Sequence, residues 1–322
     1  MVLTAGARTV AVTGAAGFVG RALCAKLRDA GWTVRPLVRE ARGAVDGETA
    51  IGAIESASPE TLARAVAGAT AVVHLAGRAH VTKETARDPE AAYRAANVEA
   101  TERLARAAVA EGVARFVYAS SVKAAAESSP AGRPLRPGDE PAPQDAYGVS
   151  KLAAERALAV ACSGTRTAPI VLRLPLVVGP GARGNVARLA DAIAAGRTLP
   201  FGAIDNRRSV IGLANLCEAI VAALDAPKPP AGVHYVGDAE PVSTPAFVRA
   251  LAAALGRPAP LAIVPVPLLR LAGALIGRRG ATDRVTGTLE VDAASFREAT
   301  GWTPRHTLAD ECAAIAAAMA GR

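Results

Sequence analysis

Lysine is nearly missing from this chain. It stands only at positions 26, 83, 123, 151 and 228, although lysine and arginine together number 37. The positive charge is therefore arginine charge, and it is scattered. Aromatic residues make up only 3% of the chain and no dense basic run forms. The clustered cations with interleaved stacking rings that mark a nucleic-acid binder are absent, so no nucleic-acid partner is expected. The formal charge of +8 fits phosphorylated small ligands such as a dinucleotide or a nucleotide sugar.

Cysteine is also scarce. Cys24, Cys162, Cys217 and Cys312 lie far apart in apolar or helical surroundings. That spacing excludes a metal-type pair and a disulfide framework, and no metal site is expected. Four small buried hydrophobes in a reducing cytoplasm are expected instead. No apolar run is long enough to span a bilayer. The nearest approach, Pro265 to Ile276, is broken by Arg270, and a buried amphipathic helix is expected there. The opening Met-Val-Leu-Thr-Ala-Gly-Ala-Arg runs into a strand and lacks the layout of a signal peptide.

What the chain does have is material for a core. Of its 322 residues, 51% are hydrophobic, and Ala, Val and Leu must supply most of the packing. Thr9–Thr13 is a short apolar run before a glycine cluster and predicts a buried strand. Further strands are predicted at 32–38, 71–76, 115–119 and 169–174, with helices at 18–30, 59–67, 90–112 and 146–161 between them. Residues 127–145 are rich in Pro, Gly and acid and predict a loop. The strands are continuously apolar, which is the pattern of a parallel sheet covered on both faces. The expected fold is α/β, a doubly wound parallel (Rossmann) sheet with a smaller C-terminal α/β substrate lobe. The first domain is expected over 1–175. Residues 176–322 would be mostly the substrate lobe, with about 209–240 returning to the first domain.

Gly14, Gly17 and Gly20 follow the first strand and open a helix. Glycine there permits a tight turn, close approach of backbone to a pyrophosphate, and close helix–strand packing. Amides at the helix start then face the phosphate charge. Past the second strand the chain reads Val38-Arg39-Glu40, with Arg42 beyond. No carboxylate occupies the strand end itself, and a guanidinium suits a 2′-phosphate. NADP is therefore favoured over NAD, with Arg39 as a solvated surface charge the alternative.

Tyr147 and Lys151 are four apart on a predicted helix and share a face. A cation beside the phenol, together with a positive nicotinamide ring, would favour the phenolate. Tyr147 would then exchange a proton with an alcohol or ketone oxygen while hydride moves. The spacing occurs by chance, so the neighbours matter. Ser120 and Ser121 follow the fourth strand, where the crevice of such a sheet lies, and one of them can bond the reacting oxygen. A turn or helix cap is their other reading. Asn97 would be either exposed or bonded to backbone and a water near the lysine.

The chain resembles an extended short-chain dehydrogenase/reductase of the nucleotide-sugar epimerase/dehydratase family. The resemblance rests on Thr13-Gly-x-x-Gly17-x-x-Gly20, His74-Leu75-Ala76, Asn97-Val98, Ser120-Ser121, Tyr147-x-x-x-Lys151, Arg173-Leu174-Pro175, Gly179-Pro180-Gly181 and Gly301-Trp302-x-Pro304. It is closest to the UDP-glucose 4-epimerase-like subgroup that includes UDP-N-acetylquinovosamine 4-ketoreductase-like proteins. The resemblance implies Ser121, Tyr147 and Lys151 as the catalytic set. It implies a cofactor site of Gly14, Ala16, Gly17, Phe18, Val19, Gly20, Arg39, Ile54, Leu75, Ala76, Gly77, Asn97, Tyr147, Lys151 and Pro175. It implies substrate contacts from Ser121, Asn185, Arg208 and Arg284, and a homodimer built as a four-helix bundle from the helices near 90–111 and 146–161. Two departures stand out. Ala53 occupies a place where many relatives carry an adenine-binding Asp, and Val122-Lys123 replaces the acid pair of 4,6-dehydratases. The expected reaction is epimerisation or 4-keto reduction of a UDP-hexose. The alternatives are an NADPH reductase of a non-sugar carbonyl, and a non-catalytic dinucleotide sensor or assembly factor.

Overall fold

The computed structural model describes residues 8–79, 87–277 and 279–321. The first seven residues, read above as the lead-in to a strand, lie outside them. The first strand, β1 (Thr9–Thr13), is followed by α1 (Phe18–Asp29), β2 (Thr33–Val38), β3 (Thr49–Ala50), α2 (Pro59–Val66) and β4 (Ala71–His74). A long helical stretch then runs through α3 (Pro89–Tyr93), a π-helical segment (Arg94–Glu99) and α4 (Ala100–Ala110). β5 (Arg115–Ser121), a 3-10 turn (Val122–Ala124), α5 (Ala146–Cys162) and β6 (Ala168–Leu174) complete the amino-terminal part.

Beyond it come β7 (Leu176–Val178), α6 (Asn185–Ala194), β8 (Val210–Gly212), α7 (Leu213–Asp225) and β9 (Gly232–Tyr235). The chain ends with α8 (Thr244–Ala254), α9 (Val266–Leu275), α10 (Arg279–Thr286), α11 (Ala294–Thr300) and α12 (Leu308–Ala320). Seven strands form one parallel sheet in the order β3-β2-β1-β4-β5-β6-β9. The order reverses between β1 and β4, which opens a crevice at their C-terminal ends.

Both faces of the sheet are covered, as the unbroken apolar strands require. One face packs Leu23 and Leu27 of α1 and Leu216 and Ile220 of α7. The other packs Leu62 of α2, Leu104 of α4 and Leu158 of α5. Each of these leucines contributes about 1.5–3 kcal/mol by leaving water. A separate core of Val186, Ile193, Val248, Leu251, Cys312 and Ile315 holds the smaller lobe together. All four cysteines are buried and free, as expected.

Two helices differ from the sequence reading. The helix expected over 90–112 is not uniformly α-helical; it widens to π geometry around Asn97. One extra residue per turn re-aims the side chains there. The helix expected to be buried near 265–276 forms as α9, but only its Gly273 is buried. Its larger side chains face outward because the glycine surface is what seats it. Among the described residues no helix is long and apolar enough to cross a membrane.

Candidate active site

Gly14 adopts a left-handed φ of +67°, and a Cβ there would lie 2.8 Å from Ala76 N. Gly20 admits no side chain either, since its Cβ would lie 2.2 Å from Gly14 O. These contacts draw the β1–α1 turn and the end of β4 together. They also leave Ala16, Gly17, Phe18 and Val19 at the start of α1, which no side chain caps and no acid flanks. An uncapped helix start with free amides is a cradle for phosphate oxygens. The chemistry of this turn therefore fits a dinucleotide pyrophosphate.

The other predicted cofactor residues surround the same sheet end. Leu75, Ala76 and Gly77 follow β4, and Pro175 directly follows β6. Ile54 is 6% exposed and belongs to the second core. Arg39 follows β2; its side chain is 69% exposed and its guanidinium lies 3.8 Å from Glu55. Glu40, the nearby acid, is taken up by Arg42 at 2.6 Å.

A buried polar chain ties the crevice to the π segment. Ala76 N donates to Thr13 Oγ1 at 3.3 Å. Thr13 Oγ1 meets His74 Nδ1 at 2.6 Å, and His74 Nε2 meets Thr101 Oγ1 at 3.2 Å. Thr101 donates its hydrogen to Asn97 O at 2.6 Å. Because that hydroxyl has one hydrogen, His74 Nε2 must be the donor to it, and Nδ1 must accept from Thr13. Burial, helped by the Lys151 charge, holds His74 neutral with a pKa of about 3.

Asn97 itself is 1% exposed, which settles the sequence alternatives in favour of a buried side chain bonded to backbone. It accepts from Arg78 N at 2.7 Å and donates to Ser150 Oγ at 2.8 Å. Ser150 in turn donates to Tyr147 O at 2.7 Å. A Cβ on Gly77 would lie 2.8 Å from Asn97 Oδ1 and 3.6 Å from Lys151 Nζ. Gly77, Asn97 and Lys151 therefore share one small space.

The two serines diverge. Ser120 donates to Glu155, which also holds Arg173 through a buried ion pair at 2.8 Å. Ser121 Oγ accepts from Lys123 N at 3.2 Å and so caps the 3-10 turn, its other reading, while its hydroxyl also acts to lower the Tyr147 phenol. Lys151 Nζ donates to Ala119 O at 2.8 Å and lies 4.6 Å from the Tyr118 ring centroid and 6.0 Å from that of Tyr147. Burial pushes the phenol up to about 12, against the lowering effect of Ser121. Burial likewise brings the ammonium down to about 8, against the raising effect of Glu155. Burial is the larger effect on the phenol in this arrangement; the lowering expected above joins the lysine charge to that of a bound, oxidised nicotinamide ring.

In the lobe, Arg208 donates to Gly287 O at 2.9 Å. Burial lowers its pKa, Glu127 opposes that, and the Arg284 charge adds to it. Two guanidiniums are thus brought near one another. Asn185 opens α6 and is exposed, with Oδ1 accepting from Arg188 at 2.6 Å. Sequence reasoning missed Thr101, Ser150 and Glu155. Thr101 carried a readable signal, since it lies four residues from Asn97; the partners of Ser150 and Glu155 are set only by the fold.

The comparisons agree with this fold. The model of the NAD dependent epimerase/dehydratase family matches residues 10–236. A UDP-glucose 4-epimerase of Vibrio cholerae is 37% identical over 304 residues, covering 94% of this chain and 92% of its own. A dTDP-6-deoxy-L-talose 4-dehydrogenase (NAD(P)(+)) of Kitasatospora kifunensis is 32% identical over 317 residues, covering 95% and 93%. The solved structure of MoeE5 in complex with UDP-glucuronic acid and NAD superposes with a TM-score of 0.78 at 28% identity, over 97% of this chain and 99% of that one. The chain belongs to the NAD-dependent epimerase/dehydratase family, and it is an NAD(P)-dependent enzyme of the epimerase and reductase kind.

Proposed function

We propose that this enzyme carries out oxidoreduction at C4 of a UDP-sugar, as a UDP-hexose 4-epimerase or a UDP-4-keto-sugar reductase. The observation that carries the reading is Tyr147 and the buried Lys151 together on α5, with Nζ 6.0 Å from the phenol ring centroid and 2.8 Å from Ala119 O of the strand that ends at Ser121. In this reading residues 1–175 hold the dinucleotide and residues 176–322 mostly hold the sugar nucleotide. Gly14, Gly17 and the start of α1 would hold the pyrophosphate, and Lys151 with Asn97 would position the nicotinamide ribose end. The bound dinucleotide would supply or accept hydride.

Tyr147 is the proton carrier: its phenol gives a proton to a C4 carbonyl oxygen or takes one from a C4 hydroxyl. Ser121 donates to that same oxygen and orients it. Lys151 holds positive charge behind the phenol, and together with the charge of a bound, oxidised nicotinamide ring it would offset the burial that raises the phenol and favour the phenolate as proton transfer proceeds. Arg208 and Arg284 supply charge for a diphosphate through paired donors, and Asn185 belongs to the nucleotide end. Arg39 favours NADP over NAD by its exposed guanidinium, with Glu55 as the opposing charge. The family likeness and the exposed Val149 and Val160 of α5 support a homodimer through a four-helix bundle.

The deciding experiment is incubation with UDP-glucose, UDP-GlcNAc and a UDP-4-keto-sugar, with and without added NADPH, followed by product identification. Consumption of external NADPH with the keto sugar marks a reductase. An epimer formed without it marks an epimerase. No conversion of any of the three would sink the proposal.

A further inference from the structure

Lys151 is buried, and the groups that face it are mostly uncharged. From β5, Ala119 O accepts from its Nζ at 2.8 Å and the Tyr118 ring centroid lies 4.6 Å away. From the π segment, Asn97 shares with it the small space beside Gly77. From its own helix, the Tyr147 ring centroid is 6.0 Å away. Burial raises both phenols, Tyr147 to about 12 and Tyr118 further, so neither is an anion near neutral pH. From β4, His74 is a neutral ring. The carboxylate that acts on the ammonium is Glu155, against the larger lowering effect of burial. A desolvated ammonium without a counter-charge sheds its proton readily.

Glu155 is fixed by contacts from two strands. Positions 151 and 155 are one helical turn apart on α5, and both are buried. Their side chains hold consecutive residues of β5: Lys151 binds Ala119 O, and Ser120 Oγ donates to Glu155 Oε1. From β6, Arg173 Nη2 donates to Glu155 Oε2 at 2.8 Å and Nε donates to Oε1 at 3.1 Å. Arg173 Nη1 also donates to Tyr235 OH at 3.3 Å. Ser120, Arg173 and Tyr235 stand in register across β5, β6 and β9, so their side chains leave one face of the sheet.

The Arg173 and Glu155 side chains are 3% and 5% exposed. Such a pair is a poor source of stability, because well-packed apolar residues commonly serve as well. What apolar residues cannot supply is negative charge one turn from Lys151. Without Glu155, two like charges would remain buried on neighbouring elements.

We propose that Glu155 is a positioning residue of the site: held by Arg173 and Ser120, it keeps the Lys151 ammonium charged behind the Tyr147 phenol. It acts through Lys151 and not on the reacting atoms. The inference rests on the role given to Lys151 in the proposed reaction.

The scarcity of lysine makes a direct test possible. With carbon-13 at lysine Cε, the NMR spectrum of the full chain has one signal for each of a few lysines, and Lys151→Arg identifies the one to follow through a pH titration. Glu155→Gln should lower the Lys151 midpoint by on the order of one pH unit. Glu155→Asp keeps a carboxylate and should restore most of that shift. The Glu155→Gln, Arg173→Gln double variant removes the carboxylate without leaving a guanidinium buried and unpaired, and its Lys151 midpoint should also fall below that of the wild type. These titrations need no substrate, so their failure is distinct from failure of the proposed reaction. With a UDP-sugar that is turned over, the alkaline limb of the rate profile should move to lower pH in Glu155→Gln, because the charged ammonium is present only below its pKa. A Lys151 midpoint unchanged in both the single and the double variant would overturn the proposal. So would a loss of turnover that is equal at every pH, which is what a merely structural role predicts.

Discussion

Ser120 and Ser121 are adjacent in sequence yet face different partners: Ser120 donates to the buried carboxylate of Glu155, whereas Ser121 accepts from Lys123 N at 3.2 Å on the side of the Tyr147 phenol, which it acts to lower. Successive residues of a strand point to opposite faces. One hydroxyl is thereby built into the Glu155–Arg173 ion pair, and the other is left at the crevice.

Tyr147→Phe keeps the ring and its packing but removes the transferable proton. Dinucleotide binding, followed by fluorescence, should be unchanged. Turnover should fall by about 10²–10⁴-fold, the usual range for a lost general acid or base. Wild-type turnover in this variant would remove Tyr147 from the mechanism.

In the proposed function Arg39 carries a preference for NADP over NAD. Fluorescence titration should give tighter binding of NADPH than of NADH, and Arg39→Ala should narrow that difference. Equal affinities in the wild type would show that Glu55, 3.8 Å away, neutralises the guanidinium.

Arg208→Ala should raise the Michaelis constant for a UDP-sugar by about tenfold or more, with a smaller effect on the rate constant, since charged hydrogen bonds to phosphate contribute about 1.5–3 kcal/mol. Arg284→Ala should act in the same direction. A Michaelis constant unaffected by either change would place the diphosphate elsewhere.

Val149 and Val160 of α5 are 52% and 76% exposed. If they lie within the four-helix bundle, Val160→Glu should shift the protein from dimer to monomer in analytical ultracentrifugation. A wild type that is monomeric at all concentrations would exclude the bundle.

His74 links stability to pH. Its pKa falls from 6.5 to about 3 on folding, so between those values the unfolded chain binds the extra proton. Stability therefore rises with pH through this window and is lost on acidification, with a limiting slope of about 1.4 kcal/mol per pH unit. His74→Gln should be less stable at neutral pH but show a shallower acid limb in thermal melts. An identical acid limb would show that other groups set it.

The sequence by itself determined the sheet and the location of its ligand crevice. Continuous apolar strands, the Gly14–Gly20 turn and the Tyr147–Lys151 spacing are local patterns, and local geometry is enough to read them. Tertiary structure decided what distant residues do to one another. It tied Ser120 to Glu155 and left Ser121 to Lys123 N, buried Asn97 by way of a π turn, and brought the Arg284 charge near Arg208. It also set the phenol and ammonium pKa values by desolvation, which depends on neighbours from several elements. For α9 it reversed the expectation: periodicity shows that a helix has an apolar side, but only packing decides whether that side meets the core or faces away from it.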